Sequence, residues 1–306
     1  MPINPDEPPY EPRRISMGLR IANLIAILVP FAGLIAGGIL IWPFGFGWLY
    51  IALLIGGYLT TGIGITAGFH RFFTHKSFET NRVVVFILGV MGSMAVEGPL
   101  LNWVATHRCH HQHSDCEEDP HSPHAHGNGL WDMFRGIWHA QMGWIINHKA
   151  PSFKRYVPDL QKDRMLRFIH VTFPLWVAVG LLFPAVLGGV ITLSWTGALL
   201  GFLWGGLIRV FFVHHVTWSV NSVCHIWGRQ PYDCHDESRN NAICGVLALG
   251  EGWHNNHHAF PTSARHGLRW WQFDMSWLFI KTLILLRLAR NPRIPSLERQ
   301  RAAMRV

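Results

Sequence analysis

Four long apolar runs set the terms on which this chain can fold. 'IANLIAILVPFAGLIAGGILIW' (21–42) and 'FGWLYIALLIGGYLTTGIGITAGF' (46–69) contain no charged residue. 'FIHVTFPLWVAVGLLFPAVLGGVITL' (168–193) and 'SWTGALLGFLWGGLIRVFFVHHV' (194–216) repeat the pattern, interrupted by Arg209, which lies near a span end and can snorkel. Each run is long enough to cross a hydrocarbon core about 30 Å thick. Pro174 and Pro184 are tolerable there because neighbouring helices re-satisfy the backbone groups that a proline frees. The steps from Gly64 to Gly68 and from Gly201 to Gly205 either bring helices close or are plain lipid-facing glycines. The predicted fold is an all-α integral membrane protein, its four transmembrane helices arranged as two hairpins.

A fifth stretch, 83–104, has the length of a span, but Glu97, Gly98, Pro99 and Asn102 interrupt its second half, so it is read as interfacial or buried in protein. Hydrophobic residues make up 49% of the 306 positions and charged ones 14%, the balance of a membrane protein and not of a soluble domain. The net charge of +8 invites a nucleic-acid partner, yet its distribution excludes one. The turn 'PFG' (43–45) and the residues around Ser194 carry no Lys or Arg, while the N-terminus, 70–167 and everything after 225 carry nearly all of them. That is the positive-inside pattern for four spans with both termini cytoplasmic.

The five cysteines form no CxxC and are odd in number, which indicates neither a disulfide framework nor a zinc knuckle and suits a reducing cytosol. The organisation expected is a flexible tail (1–16), one membrane domain (17–290) with a cytosolic helical cap from 70–167 and 217–290, and a basic tail (291–306).

Histidine is the chemical signal. 'HRFFTH' holds His70 and His75, 'HRCHH' holds His107, His110 and His111, and 'HNNHH' holds His254, His257 and His258. Positions i, i+3 and i+4 share one helix face, so each HxxHH aims three imidazoles into one volume. His70 and His75, five apart, point about 140° away from each other on an ideal α-helix. Either the helix ends between them or they serve different metals. Eight nitrogen donors exceed what one tetrahedral or octahedral ion takes, which implies two metals; iron, copper, nickel and zinc all accept such a set. One such cluster alone is often structural, but three together converge on a site.

Topology checks this independently. Helix 46–69, about 36 Å long, delivers His70 and His75 just beyond the interface. Box two follows on the same side only if 83–104 does not cross. Two spans separate boxes two and three, which returns box three to the original side.

At these residues the chain resembles the membrane-bound fatty acyl desaturases of the stearoyl-CoA desaturase type, from about 46 to 290, through 'GITAGFHRFFTHKSF', 'NWVATHRCHHQHSD', 'EDPHS', 'NSVCHIWGRQPYD' and 'GEGWHNNHHAFP'. The resemblance implies that the cap holds a histidine-rich di-metal site with two iron ions, His225 as a ninth ligand and Asn221 acting on a metal through water. It implies an enzyme that uses O2 and two electrons to place a cis double bond, at the ninth carbon of an acyl-CoA. Arg71, Lys76 and Arg108 are expected near the mouth of an apolar tunnel, meeting the phosphates of coenzyme A, unless Arg108 merely anchors its own box. Gln141 departs from the pattern, standing in 'WHAQMGW' where similar bacterial sequences have a histidine. Asp115 and Glu251 are expected to orient ligand imidazoles. His113, His121, His124, His126, His214, His215 and His235 have no assigned role.

No GxGxxG follows a strand, so electrons are expected from a separate ferredoxin, rubredoxin or b-type cytochrome with its reductase. An acyl-lipid desaturase or a fatty-acid hydroxylase fits the same metal shell. A metal transporter predicts ionisable residues at span midplanes, which are nearly absent.

Overall fold

A computed structural model describes residues 3–11, 15–44, 47–124, 127, 129–147 and 149–305. His126, turn residue 45 and positions 1, 2 and 12–14 of the expected tail lie outside them. The described chain is mostly helical, with one antiparallel ribbon pairing Glu79–Thr80 with Ala289–Arg290.

Four helices are long and apolar enough to cross a membrane: Met17–Leu40, Trp48–Thr74, Phe173–Thr192 and Trp195–His225. The second and fourth run beyond the expected limits of 69 and 216; these extensions carry His70 and His225, and His75 follows the end of the second. The third starts at Phe173, preceded by a separate helix, Arg164–Val171. Pro174 therefore sits in a first helical turn, where its missing N–H is no loss.

Pro184 does lie inside the third helix. It leaves the carbonyl of Gly180 without an i+4 donor, and the Arg209 guanidinium supplies one at 2.9 Å. The same side chain donates to Met94 O at 2.7 Å and Gly205 O at 3.2 Å. Arg209 does not snorkel, as its place in the sequence had suggested: it is 1% exposed and spent on carbonyls from three segments.

Stretch 83–104 breaks into helix Arg82–Ser93 and the start of helix Leu100–His113. Twelve residues rise about 18 Å, too little to cross. Helix Arg82–Ser93 crosses the second span where both are glycine: a Cβ on Gly64 would collide with the Met91–Gly92 backbone. Gly201 likewise abuts the Pro184 carbonyl, so both are packing glycines and not lipid-facing ones. The main core forms where the second span's extension, these two helices and helix Arg164–Val171 meet, around Phe69, Phe73, Leu88, Leu100, Val104 and Ile169.

Neither end is loose where it is described. Asn4 N donates to Arg155 O and Glu11 N to Ala150 O, both at 2.9 Å, while Arg155 donates to Pro5 O at 2.9 Å and to Glu7 O. At the other end Arg293 N donates to Ser77 O, helix Leu297–Ala302 follows, and Arg305 N donates to Pro231 O. The described parts of the two expected tails are docked segments because backbone pairing, which composition does not reveal, ties them to Ala150 and Arg155 at one end and to Ser77 and Pro231 at the other.

Candidate metal centre

His70 lies within and His75 follows a π-helical segment, Gly64–Thr74. Its i→i+5 pairing, His75 N to His70 O at 3.2 Å, brings residues five apart to one side. Their ring centroids stand 4.8 Å apart. The 140° divergence of an α-helix does not arise: the helix ends at Thr74, between the two as one alternative had it, and both histidines fall in one group, so the alternative of two different metals is not supported.

The nine histidines gather into two groups, within each of which the ligand atoms lie within 4.8 Å of one another: His70, His75, His107, His111 and His257 in one, His110, His225, His254 and His258 in the other. Each HxxHH box is shared between them. The i, i+4 pairs His107/His111 and His254/His258 stay together, and the third histidine, His110 or His257, turns to the other group. The expectation of one volume per box is corrected by this division, which follows from the angular spread of i+3 and i+4 on a helix.

Four imidazoles have Nδ1 against a carboxylate: His70 on Glu251 at 2.5 Å, His110 on Asp119 at 2.9 Å, His225 on Asp115 at 2.8 Å and His258 on Asp236 at 2.5 Å. A neutral imidazole donating from Nδ1 keeps its lone pair on Nε2. Yet Nε2 faces Nε2 at 3.0 Å in His70–His257, 2.8 Å in His257–His111 and 3.0 Å in His225–His254. A proton on one Nε2 or a metal ion must lie between such a pair, and the Nε2 atoms of His75, His110 and His258 are buried with no hydrogen-bond partner at all. Metal–nitrogen bonds of about 2.1 Å at right angles place two nitrogens about 3.0 Å apart, so the donor set fits a metal ion.

The protonation balance agrees. Burial, then the neighbouring imidazoles, pushes His75, His107, His111, His254 and His257 well below the ordinary histidine range, leaving them neutral. Burial alone would raise Glu251, but His70, His266 and Arg71 beside it hold the carboxyl well below its usual value. Asp119 and Asp236 are depressed in the same way, each by its histidine. Of the four carboxylates the sequence reading named only Asp115 and Glu251. Asp119 lies in the quoted 'EDPHS' and Asp236 had no motif to mark it. His266 was also missed; its Nδ1 is 3.3 Å from Glu251.

The three basic residues expected at a tunnel mouth are placed differently. Arg71 is fully buried, paired with Glu251 and Asp274 at 3.0 Å each. Arg108 is fully buried too, held by Asp159 at 2.7 Å and the carbonyls of Tyr156, Phe73 and Thr74. Neither presents a donor to a phosphate, so that expectation is withdrawn for both: each is consumed by partners that only the folded chain brings near. Lys76 alone reaches solvent, and it is 3.2 Å from Asp159.

A cavity of about 250 Å³ adjoins the histidines, with His70, His107, His254, Asn221, Trp103 and Thr217 on its wall. Trp103 stacks on His107 with centroids 5.1 Å apart and donates to Glu97 at 3.0 Å. Burial pushes the Glu97 carboxyl up to about 7. Gln141 braces the end of the fourth span: it donates to His215 O at 3.0 Å and accepts from Ser222 at 2.6 Å, beside Asn221. His214 bonds Ala95 O at 3.0 Å and His124 bonds His225 O at 2.9 Å, both backbone contacts.

Residues 46–282 match the fatty acid desaturase family model. The chain is 38% identical to a hex-5-enoyl-[acyl-carrier protein] acetylenase of Moorena producens, over 97% of this chain and 96% of that one. It is 40% identical to the sn-1 stearoyl-lipid 9-desaturase of Anabaena variabilis, over 86% and 92%. Against the icosanoyl-CoA 5-desaturase of Limnanthes douglasii the identity is 36%, over 83% and 68%. Two metal-capable histidine groups, each taking one member from a membrane-length helix, with this breadth of similarity, place the chain in the fatty acid desaturase family.

Proposed function

We propose that the chain introduces a cis double bond at the ninth carbon of a saturated acyl chain carried by coenzyme A, on the cytoplasmic face of the membrane, using O2 and two electrons from a separate ferredoxin, rubredoxin or b-type cytochrome system. The nine histidines hold two iron ions, one in each group, with Asn221 reaching the second through water. The reading is carried by the buried Nε2 atoms of His110 and His258, which no hydrogen bond satisfies while a carboxylate holds Nδ1, inside histidine groups whose ligand atoms lie within 4.8 Å of one another. Iron bound there supplies the oxidant for an unactivated C–H bond, which no side chain can. Four electrons, two from the chain and two from the donor, reduce one O2 to two waters.

The protein's own part is placement and exclusion. Carboxylates on Nδ1 of His70, His110, His225 and His258 lock the tautomer and aim Nε2 inward. Trp103, stacked on His107, walls the cavity beside the ligands and limits which methylenes approach them. A second reading, an acyl chain esterified in a membrane lipid, is favoured by the burial of Arg71 and Arg108, which removes two of three expected phosphate contacts.

Expression in a host lacking its own desaturases, followed by gas chromatography of the fatty acid methyl esters, is expected to reveal a new cis-9 monounsaturated chain. A hydroxylated product, or none with iron and a competent donor present, contradicts the proposal. Purified enzyme supplied with acyl-CoA or with lipid-bound acyl chains separates the two carriers.

A further inference from the structure

The second and fourth spans act as depth rulers into the bilayer, because each begins at the turn on the face away from the histidines. At 1.5 Å per residue, Tyr58 lies about 15 Å from Trp48, and Gly62 and Arg209 lie about 21 Å from Trp48 and Trp195. Gly180, read back from Thr192, lies about 18 Å in. All four are within a core about 30 Å thick; moderate tilt moves Gly62, Arg209 and Gly180 nearer its centre and leaves Tyr58 close to it.

These deep positions touch the cap. Tyr58 Oη donates to Leu247 O at 2.7 Å, and a Cβ on Gly62 would lie 2.8 Å from Leu249. Arg209 donates to Met94 O at 2.7 Å, and a Cβ on Gly180 would lie 3.0 Å from the Met94 side chain. Leu247 and Met94 end two short apolar helices, Ala242–Leu247 and Arg82–Ser93.

We propose that these two helices are wedged into the hydrocarbon of the leaflet on the metal side, with their outward faces against lipid acyl chains. The inference rests on the four-span reading of the preceding sections.

Two independent features fit immersion. First, backbone groups at the helix ends find donors and acceptors without water, as a hydrocarbon medium requires. Leu247 O takes Tyr58, Met94 O takes Arg209, and Ala95 O takes His214 at 3.0 Å. At the opposite ends the Asn241 side chain accepts from Ile243 N and Cys244 N at 3.0 and 3.1 Å, and that of Asn81 accepts from Val84 N at 3.0 Å. Second, large side chains facing outward on both helices are apolar: Val83 and Ile87 are 68% and 47% exposed, and Ile243, Val246 and Leu247 are 58%, 52% and 51% exposed. Both helices pack directly against the spans, which themselves expose large apolar side chains such as Ile55, Leu182 and Val186, and apolar surface of this kind marks a membrane contact. Arg82, paired with Asp163, keeps the outer end of its helix at the polar boundary.

The test places the photo-crosslinker p-benzoylphenylalanine at Ile87 or Val246 of the full chain in phosphatidylcholine bilayer discs, with Val83 and Ile243 as second positions on each helix. Val186, 59% exposed on the third span, is the lipid control, and Glu237, with a half-exposed side chain, is the aqueous one. Mass spectrometry after illumination is expected to find phospholipid adducts at Ile87 and Val246 as abundant as at Val186 and about tenfold above Glu237, since lipid replaces water around an immersed face. Adducts at Val186 with only the Glu237 level at all four cap positions overturn the inference. A silent pair on one helix overturns it for that helix. No adduct at Val186 brings down the four-span reading and the inference together. Turnover is not read, so failure of the proposed reaction leaves the result intact.

Discussion

Glu251 accepts from two very different donors: His70 Nδ1 at 2.5 Å and the Arg71 guanidinium at 3.0 Å, with His266 3.3 Å away. Its negative charge makes the His70 lone pair a better donor to a metal, and Arg71, backed by Asp274, holds the carboxylate in place. Glu251→Gln keeps the shape and removes the charge. Iron affinity, followed by titration against a competing chelator, is expected to fall about 10- to 100-fold, and an unchanged affinity contradicts the orienting role. At this scale the histidines were legible because a ligand set repeats its spacing along the chain. Their carboxylate partners were legible only in part. Asp119 meets His110 from nine positions further on and Asp236 meets His258 from twenty-two positions before, and no local pattern encodes such meetings. Arg71 and Arg108 were misread for the same reason, since a buried arginine looks like an exposed one until Glu251, Asp274 and Asp159 are brought to it.

Helices show both what periodicity reveals and where it stops. Run length located the spans, but it did not show that 64–74 is π-helical, which alone turns His70 and His75 to one side. Nor did it show that Arg209 repairs the break at Pro184. That repair can be tested as a coupling. Arg209→Leu strands the carbonyls of Met94 and Gly180, whereas Pro184→Ala gives Gly180 O a backbone donor of its own helix. In the Pro184→Ala background the destabilisation by Arg209→Leu is expected to be smaller by about 1–2 kcal/mol, as measured by unfolding in detergent. Strict additivity of the two changes contradicts the repair.

Across the whole molecule, the parity of crossings was the most informative sequence argument. Boxes one, two and three meet only if 83–104 fails to cross, and the break into helices Arg82–Ser93 and Leu100–His113 meets that condition. Composition did not reveal that the described parts of the two ends are tied down by backbone hydrogen bonds to Ala150, Arg155, Ser77 and Pro231. The docked ends, the second and fourth spans and helix Leu100–His113 together enclose two groups of imidazoles drawn from positions 70 to 258. Anomalous diffraction from crystals of the iron-loaded protein, recorded on both sides of the iron edge, tests this most directly. Two iron peaks are expected, one among His70, His75, His107, His111 and His257 and the other among His110, His225, His254 and His258; a single peak, or iron outside these groups, contradicts the account.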